Sequence, residues 1–189
     1  MRQKSSSLSK LRFFKTIGFS AAFFVGFVVL HPVSAFCKPA GELITLEPSL
    51  MTELNLVLKA GVTLHHSLIA QNDEQIDINL RDVIVELERA KSKSMIAKAH
   101  ERSHLLRILD GAQEGFELSQ STVGEERTAR LEGAFNQLVN LVRIYRVERG
   151  YEIFFCPKDR STWVQRGSKA QNPFQSGGSR EPCGIKVPR

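Results

Sequence analysis

The stretch PSLMTELNLVLKAGVTLHHSLIA, residues 48–70, sets Leu50, Leu54, Val57, Gly61, Leu64 and Leu68 at alternating spacings of four and three. That rhythm lines them up on one stripe of an α-helix. Pro48 stands where the first helical turn tolerates it, so the spacing predicts a helix over about Pro48–Ala70. Asn72 with Gln75 three residues on forms the pattern of a capping box. It opens a second stripe of Ile76, Leu80, Val83 and Leu87. Extending that stripe lands on Ser94, Lys98 and Glu101, whereas apolar residues reappear at Met95 and Ala99. The phase therefore predicts a tight turn in Lys91-Ser92-Lys93-Ser94. A third helix carries Met95, Ala99, Leu105, Leu109, Ala112 and Phe116, weakened at Gly111 and Gly115 by about 1 kcal/mol each relative to Ala. Thr122 and Glu125 form a second capping pattern, followed by Leu131, Phe135, Leu138, Val142 and Tyr145. The fourth helix is expected to end near Gly150, a residue suited to the left-handed position after a helix.

Four apolar-striped segments with short connections and no alternating strand pattern among them specify an all-α fold. The arrangement expected over 48–150 is an antiparallel four-helix up-down-up-down bundle. After Gly150 the run Tyr151 to Phe155 is apolar and reads as a short extended segment on the bundle. The rest of 151–189, rich in Gly, Ser and Pro, reads as an irregular cap, with Trp163 and Phe174 as its plugs. The chain has three cysteines, an odd number. Pairing Cys156 with Cys183 is the simplest account and leaves Cys37 as a free or intermolecular thiol. Such a bridge closes a loop worth roughly 3 to 4 kcal/mol.

Ahead of the helices, Arg2, Lys4, Lys10, Arg12 and Lys15 precede an apolar run from Ile17 to Leu30, then His31-Pro32 and the small-residue site Val33-Ser34-Ala35. This is the pattern of a signal peptide over 1–35 cleaved after Ala35, leaving an extended leader over 36–47. The run is shorter than the roughly 20 apolar residues of a membrane span. Phe36 stands where a lipobox needs a small residue before Cys37. Cleavage takes the formal charge from +6 to +1, which removes the electrostatic argument for nucleic acid or for an anionic membrane. The expected partner is a protein of the cell envelope, with no stable membrane insertion after cleavage.

His100-Glu101-Arg102-Ser103-His104 matches H-E-x-x-H, in which histidines one helical turn apart hold zinc and the glutamate acts as general base. Lys98 and Arg102 place charge where such sites are usually buried, and no third ligand follows at a characteristic spacing. Both histidines fall off the apolar stripe, so they read as a solvated pair, with a non-catalytic metal contact through His100 and His104 or a zinc hydrolase as the alternatives. His65 flanks the stripe of the first helix and reads as a half-buried packing residue, too far along the bundle to meet His104. No nucleophile motif, phosphate-binding glycine loop or dinucleotide fingerprint occurs, so a non-enzymatic protein is expected.

The tail combines Cys156-Pro157, Trp163-Val164-Gln165, Asn172-Pro173-Phe174 and Cys183-Gly184 behind a helical domain. In this it resembles an uncharacterised periplasmic domain found alone and fused to adaptor subunits of heavy-metal efflux pumps. The resemblance extends to Leu58, Leu68, Ala70, Asn72 and Asp73, and to Arg127, Phe135 and Leu138. It implies a periplasmic four-helix domain associated with copper or other soft-metal handling. Where the family commonly reads Cys-Pro-Met and another Met before the second cysteine, this chain has Lys158 and Arg180-Glu181-Pro182. Cu(I) prefers thioether and thiolate ligands, so this copy is poorly equipped to hold copper in its tail; copper or zinc remains the cofactor to test.

Overall fold

The computed structural model describes residues 42–175 and 183–189, without the side chains of Ala99 and His100. The expected signal segment over 1–35 with its expected cleavage site after Ala35, Cys37 and Arg180-Glu181-Pro182 lie outside the described residues. Helices α1 (Pro48–Ala70), α2 (Asp73–Ser94), α3 (Ala99–Ser121) and α4 (Gly124–Ile144) form the bundle. The stripes do bury: Leu50, Leu54, Val57 and Leu64 of α1, Leu80, Val83 and Leu87 of α2, Leu105, Leu109 and Phe116 of α3, and Phe135, Leu138 and Val142 of α4 are all core. Long α1–α2 and α3–α4 contacts run the length of the pairs, with α2 against α3 between them.

Local chemistry explains each boundary. Glu47 caps α1, its carboxylate accepting from the backbone N–H groups of Ser49 and Leu50. Asn72 caps α2 by accepting from the Gln75 N–H at 3.1 Å, while the Gln75 side chain turns forward to Asn79 instead of back. The turn between α2 and α3 falls after Ser94, not within 91–94. Ser94 lies on the buried stripe because it is small and its hydroxyl donates to the Lys91 carbonyl at 2.6 Å. Met95 and Ile96 then project into solvent, 60% and 63% exposed, and Met95 does not join α3. Thr122 is not an N-cap either; its hydroxyl donates back to the Leu118 carbonyl, and Val123 starts α4 without a side-chain cap. The helix does not falter at Gly115. A Cβ there would stand 2.9 Å from that of Ala134 and 3.2 Å from the Arg130 carbonyl, so the glycine is what lets α3 and α4 approach.

The fourth helix stops at Ile144, earlier than its stripe suggests. Tyr145 becomes extended and pairs in a parallel bridge with Ile44, whose N–H donates to the Ile144 carbonyl and whose carbonyl accepts from Arg146. Gly150, at φ +98°, sits instead in the turn into the first strand. The extended segment expected at Tyr151–Phe155 is a strand, and it pairs on both edges with chain that was expected to be irregular. Strands β1 (Tyr151–Phe155), β2 (Thr162–Arg166) and β3 (Ile185–Val187) run antiparallel in the order β2-β1-β3. Strand β2 lies against α4 and also reaches α1. The sheet thus forms a wall on the α1–α4 side, and Ile153, Phe154, Trp163 and Val164 join the same core as the helices.

Candidate functional site

Cys156 and Cys183 form a disulfide with 5.2 Å between their Cα atoms. Around it the tail residues converge. Trp163 is fully buried and stacks on Phe154 with ring centroids 5.9 Å apart. Its indole N–H donates to Gln165 Oε1 at 2.8 Å, which also accepts from the Gln171 N–H, while Gln165 Nε2 donates to the Lys169 carbonyl. This places a satisfied amide inside the core, the condition for burying one without penalty. Asn172 accepts from the Phe174 N–H at 2.9 Å and donates to Asp159 and Ser161, fixing the Asn-Pro-Phe turn. Phe174 then meets Phe135 edge-on at 5.5 Å, and Phe135 meets Phe116 likewise. A Cβ on Gly184 would come within 2.5 Å of Ala170 Cβ and 3.0 Å of the Trp163 ring, so only glycine fits there. Pro157 is exposed in the turn that follows Cys156, and Pro173 is half-buried.

His65 links this cluster to the bundle. It is completely buried, beyond the half-buried packing role expected, and its Nε2–H donates to the Gln171 carbonyl at 2.7 Å. Its Nδ1 is buried with no hydrogen-bond partner. Burial pushes its pKa down from 6.5 to about 4, against the opposing pull of the Gln171 carbonyl. The unfolded chain therefore binds more protons between pH 6.5 and about 4, and stability falls as acid is added through that window. The expected loss is about 3 kcal/mol. Urea titrations at pH 7 and pH 4.5 should show it in the native protein, and His65→Gln, which keeps a donor but cannot titrate, should flatten the difference.

The histidine motif lies toward the opposite end of the bundle. His104 is half-buried instead of solvated, with Nδ1 3.2 Å from the Tyr145 hydroxyl. The cause is the early end of α4, which buries the Tyr145 ring beside the first turns of α3. Burial, with the Glu101 charge adding to it, pushes the Tyr145 pKa up to about 12, so the phenol stays neutral. The backbone of His100 belongs to the first turn of α3, and its side chain lies outside the described residues. His65 faces Gln171 and His104 faces Tyr145, so the two are held in separate neighbourhoods. No group of three His, Cys, Asp or Glu side chains able to hold a metal occurs among the described residues.

Asp159 and Ser161 belong to the tail cluster without any sequence pattern that marks them, Gln165 is marked only as part of the Trp163-Val164-Gln165 motif, and the helical rhythm marks Tyr145 only as a core residue. Gln165 is buried in β2 beside Trp163, whereas Asp159 stays exposed in the turn after β1 and reaches Asn172 and Ser161 from there. Compared with protein-family models, curated proteins and solved structures, this chain matches none.

Proposed function

We propose that this chain is an exported, non-enzymatic helical-bundle protein of an oxidising compartment, the periplasm, acting as an accessory binding module in envelope transport or metal handling. The observation that carries the reading is the clasp itself. A disulfide of this kind persists where thiols are not kept reduced. The motif side chains Trp163, Asn172 and Phe174 are committed to hydrogen bonds and ring contacts that seat the tail, which fits a binding scaffold better than a reaction centre.

The tail does not fit Cu(I). Its two sulfurs are bonded to each other, and Lys158 occupies the place of the family's methionine. The zinc hydrolase reading retains one supporting feature: with Nδ1 of His104 held by Tyr145, Nε2 is the nitrogen left to face a metal, as in many zinc sites. Elemental analysis of the purified protein, before and after His100→Ala and His104→Ala, separates the readings. The expected result is substoichiometric zinc and copper, unchanged in both variants. One zinc per chain, lost in either variant, would overturn the non-enzymatic reading. Thiol titration of the exported protein should find Cys156 and Cys183 both oxidised.

A further inference from the structure

The end of the bundle where α2 hands over to α3 combines two features that have no role in the clasp. Met95 and Ile96, adjacent in sequence, are both well over half exposed at the tip of the turn. They are flanked by Lys93 and Lys98, both exposed, and by Arg102, whose guanidinium donates to the Met95 carbonyl at 3.2 Å. The last turn of α4 brings exposed Arg143 to the same end, and Arg146 is held there by its bond to Ile44. Of the acidic groups nearby, Glu47 caps α1 while feeling the charge of Lys93, and Glu101 is half-buried near the Tyr145 ring. Among the described residues toward this end, Glu42 and Glu88 are exposed acids, outnumbered by the exposed bases Lys93, Lys98, Arg143 and Arg146.

The opposite end is acidic. Asp73 and Glu74 open α2, and Glu125 and Glu126 open α4. Its one strongly exposed aliphatic side chain among the described residues, Val123, stands next to those acids. Complementing the helix dipoles accounts for part of this separation of charge. It does not account for two large aliphatic side chains placed in water at the basic pole, which is the arrangement that favours an anionic lipid interface. The near-neutral sum of the mature chain conceals this polarity.

We propose that the α2–α3 turn is a membrane-surface contact: Met95 and Ile96 enter the interfacial layer of an anionic bilayer, and Lys93, Lys98, Arg102 and Arg146 face its phosphates. The contact is peripheral, since no helix among the described residues is long and apolar enough to cross a membrane. Each basic group near an anionic surface raises partitioning roughly fivefold, and the attraction weakens as salt shortens the screening length.

Lys38–Arg189 is a compact unit of its own, and vesicle flotation of this unit provides the test. It should float with mixed phosphatidylglycerol–phosphatidylcholine vesicles at low salt, and far less with phosphatidylcholine alone or at high salt. Met95→Ser combined with Ile96→Ser should lower partitioning about tenfold with unchanged helical signal and melting temperature, and Val123→Ser should leave it unaltered. The proposal fails if the native unit does not float, if it floats equally with neutral vesicles, or if the double variant floats as well as the native unit. It also fails if the double substitution abolishes self-association or capture of a protein partner while flotation is unchanged, which would make the tip a protein contact.

Discussion

Replacing Trp163 by alanine should destabilise the protein by about 3 to 5 kcal/mol, near the upper end of what one truncation in a core costs. The indole is fully buried, stacks on Phe154, lies against the backbone at Gly184 and donates to Gln165. Truncation removes that packing and opens a cavity between the sheet and the helices that neither can collapse to fill. In a domain of this size the melting temperature should fall on the order of 10 °C. Trp163→Phe keeps an aromatic ring against Phe154 but loses the N–H donor and part of the indole, so it should cost less than the alanine variant, about 2 kcal/mol. Urea denaturation of the three proteins measures both steps. A loss below about 1 kcal/mol for the alanine variant would show that the tail does not share the core of the bundle.

Reducing the Cys156–Cys183 bridge should cost roughly 3 to 4 kcal/mol, because it frees a 27-residue separation in the unfolded chain. The melting temperature should again drop on the order of 10 °C, while the helical signal at 25 °C stays intact. Leu54, Val57, Leu80, Val83, Leu105 and Leu109 are buried by helices independently of the bridge. Circular dichroism with and without reductant reads both quantities. Collapse of the helical signal on reduction would mean that the wall contributed by the tail is indispensable to the four helices.

Helices and tail are unequally legible in the sequence. α1 lies where its stripe and Pro48 put it, and Asn72 caps α2 as its spacing implies, because a one-sided helix writes its burial into a period of 3.6. Strand β2 writes no such period. Trp163, Val164 and Gln165 are buried in succession, since the helices contact this strand while the returning chain at Lys169–Gln171 and Gly184 lies against Trp163 and Gln165, and the alternation that marks a half-exposed strand is absent. Gly115 looks like a weakness in isolation and is a contact surface in context. Tyr145 keeps the helical rhythm yet leaves the helix, because a strand-like bridge to Ile44, 101 positions earlier, outcompetes one more helical turn. That partner is invisible to any local window. The same holds for His65, whose depth depends on a carbonyl 106 residues away.

The sheet that walls the α1–α4 side is assembled wholly from chain downstream of the helices, and its third strand and second sulfur come later still, at 183–187. A polypeptide delivered amino end first therefore spends its emergence as four helices with Phe135 not yet covered by Phe174. Sealing is a terminal event, like the last stave in a barrel. A premature stop ahead of Thr162 would leave that seam permanently open, and quality control would meet an apolar gash instead of a finished domain.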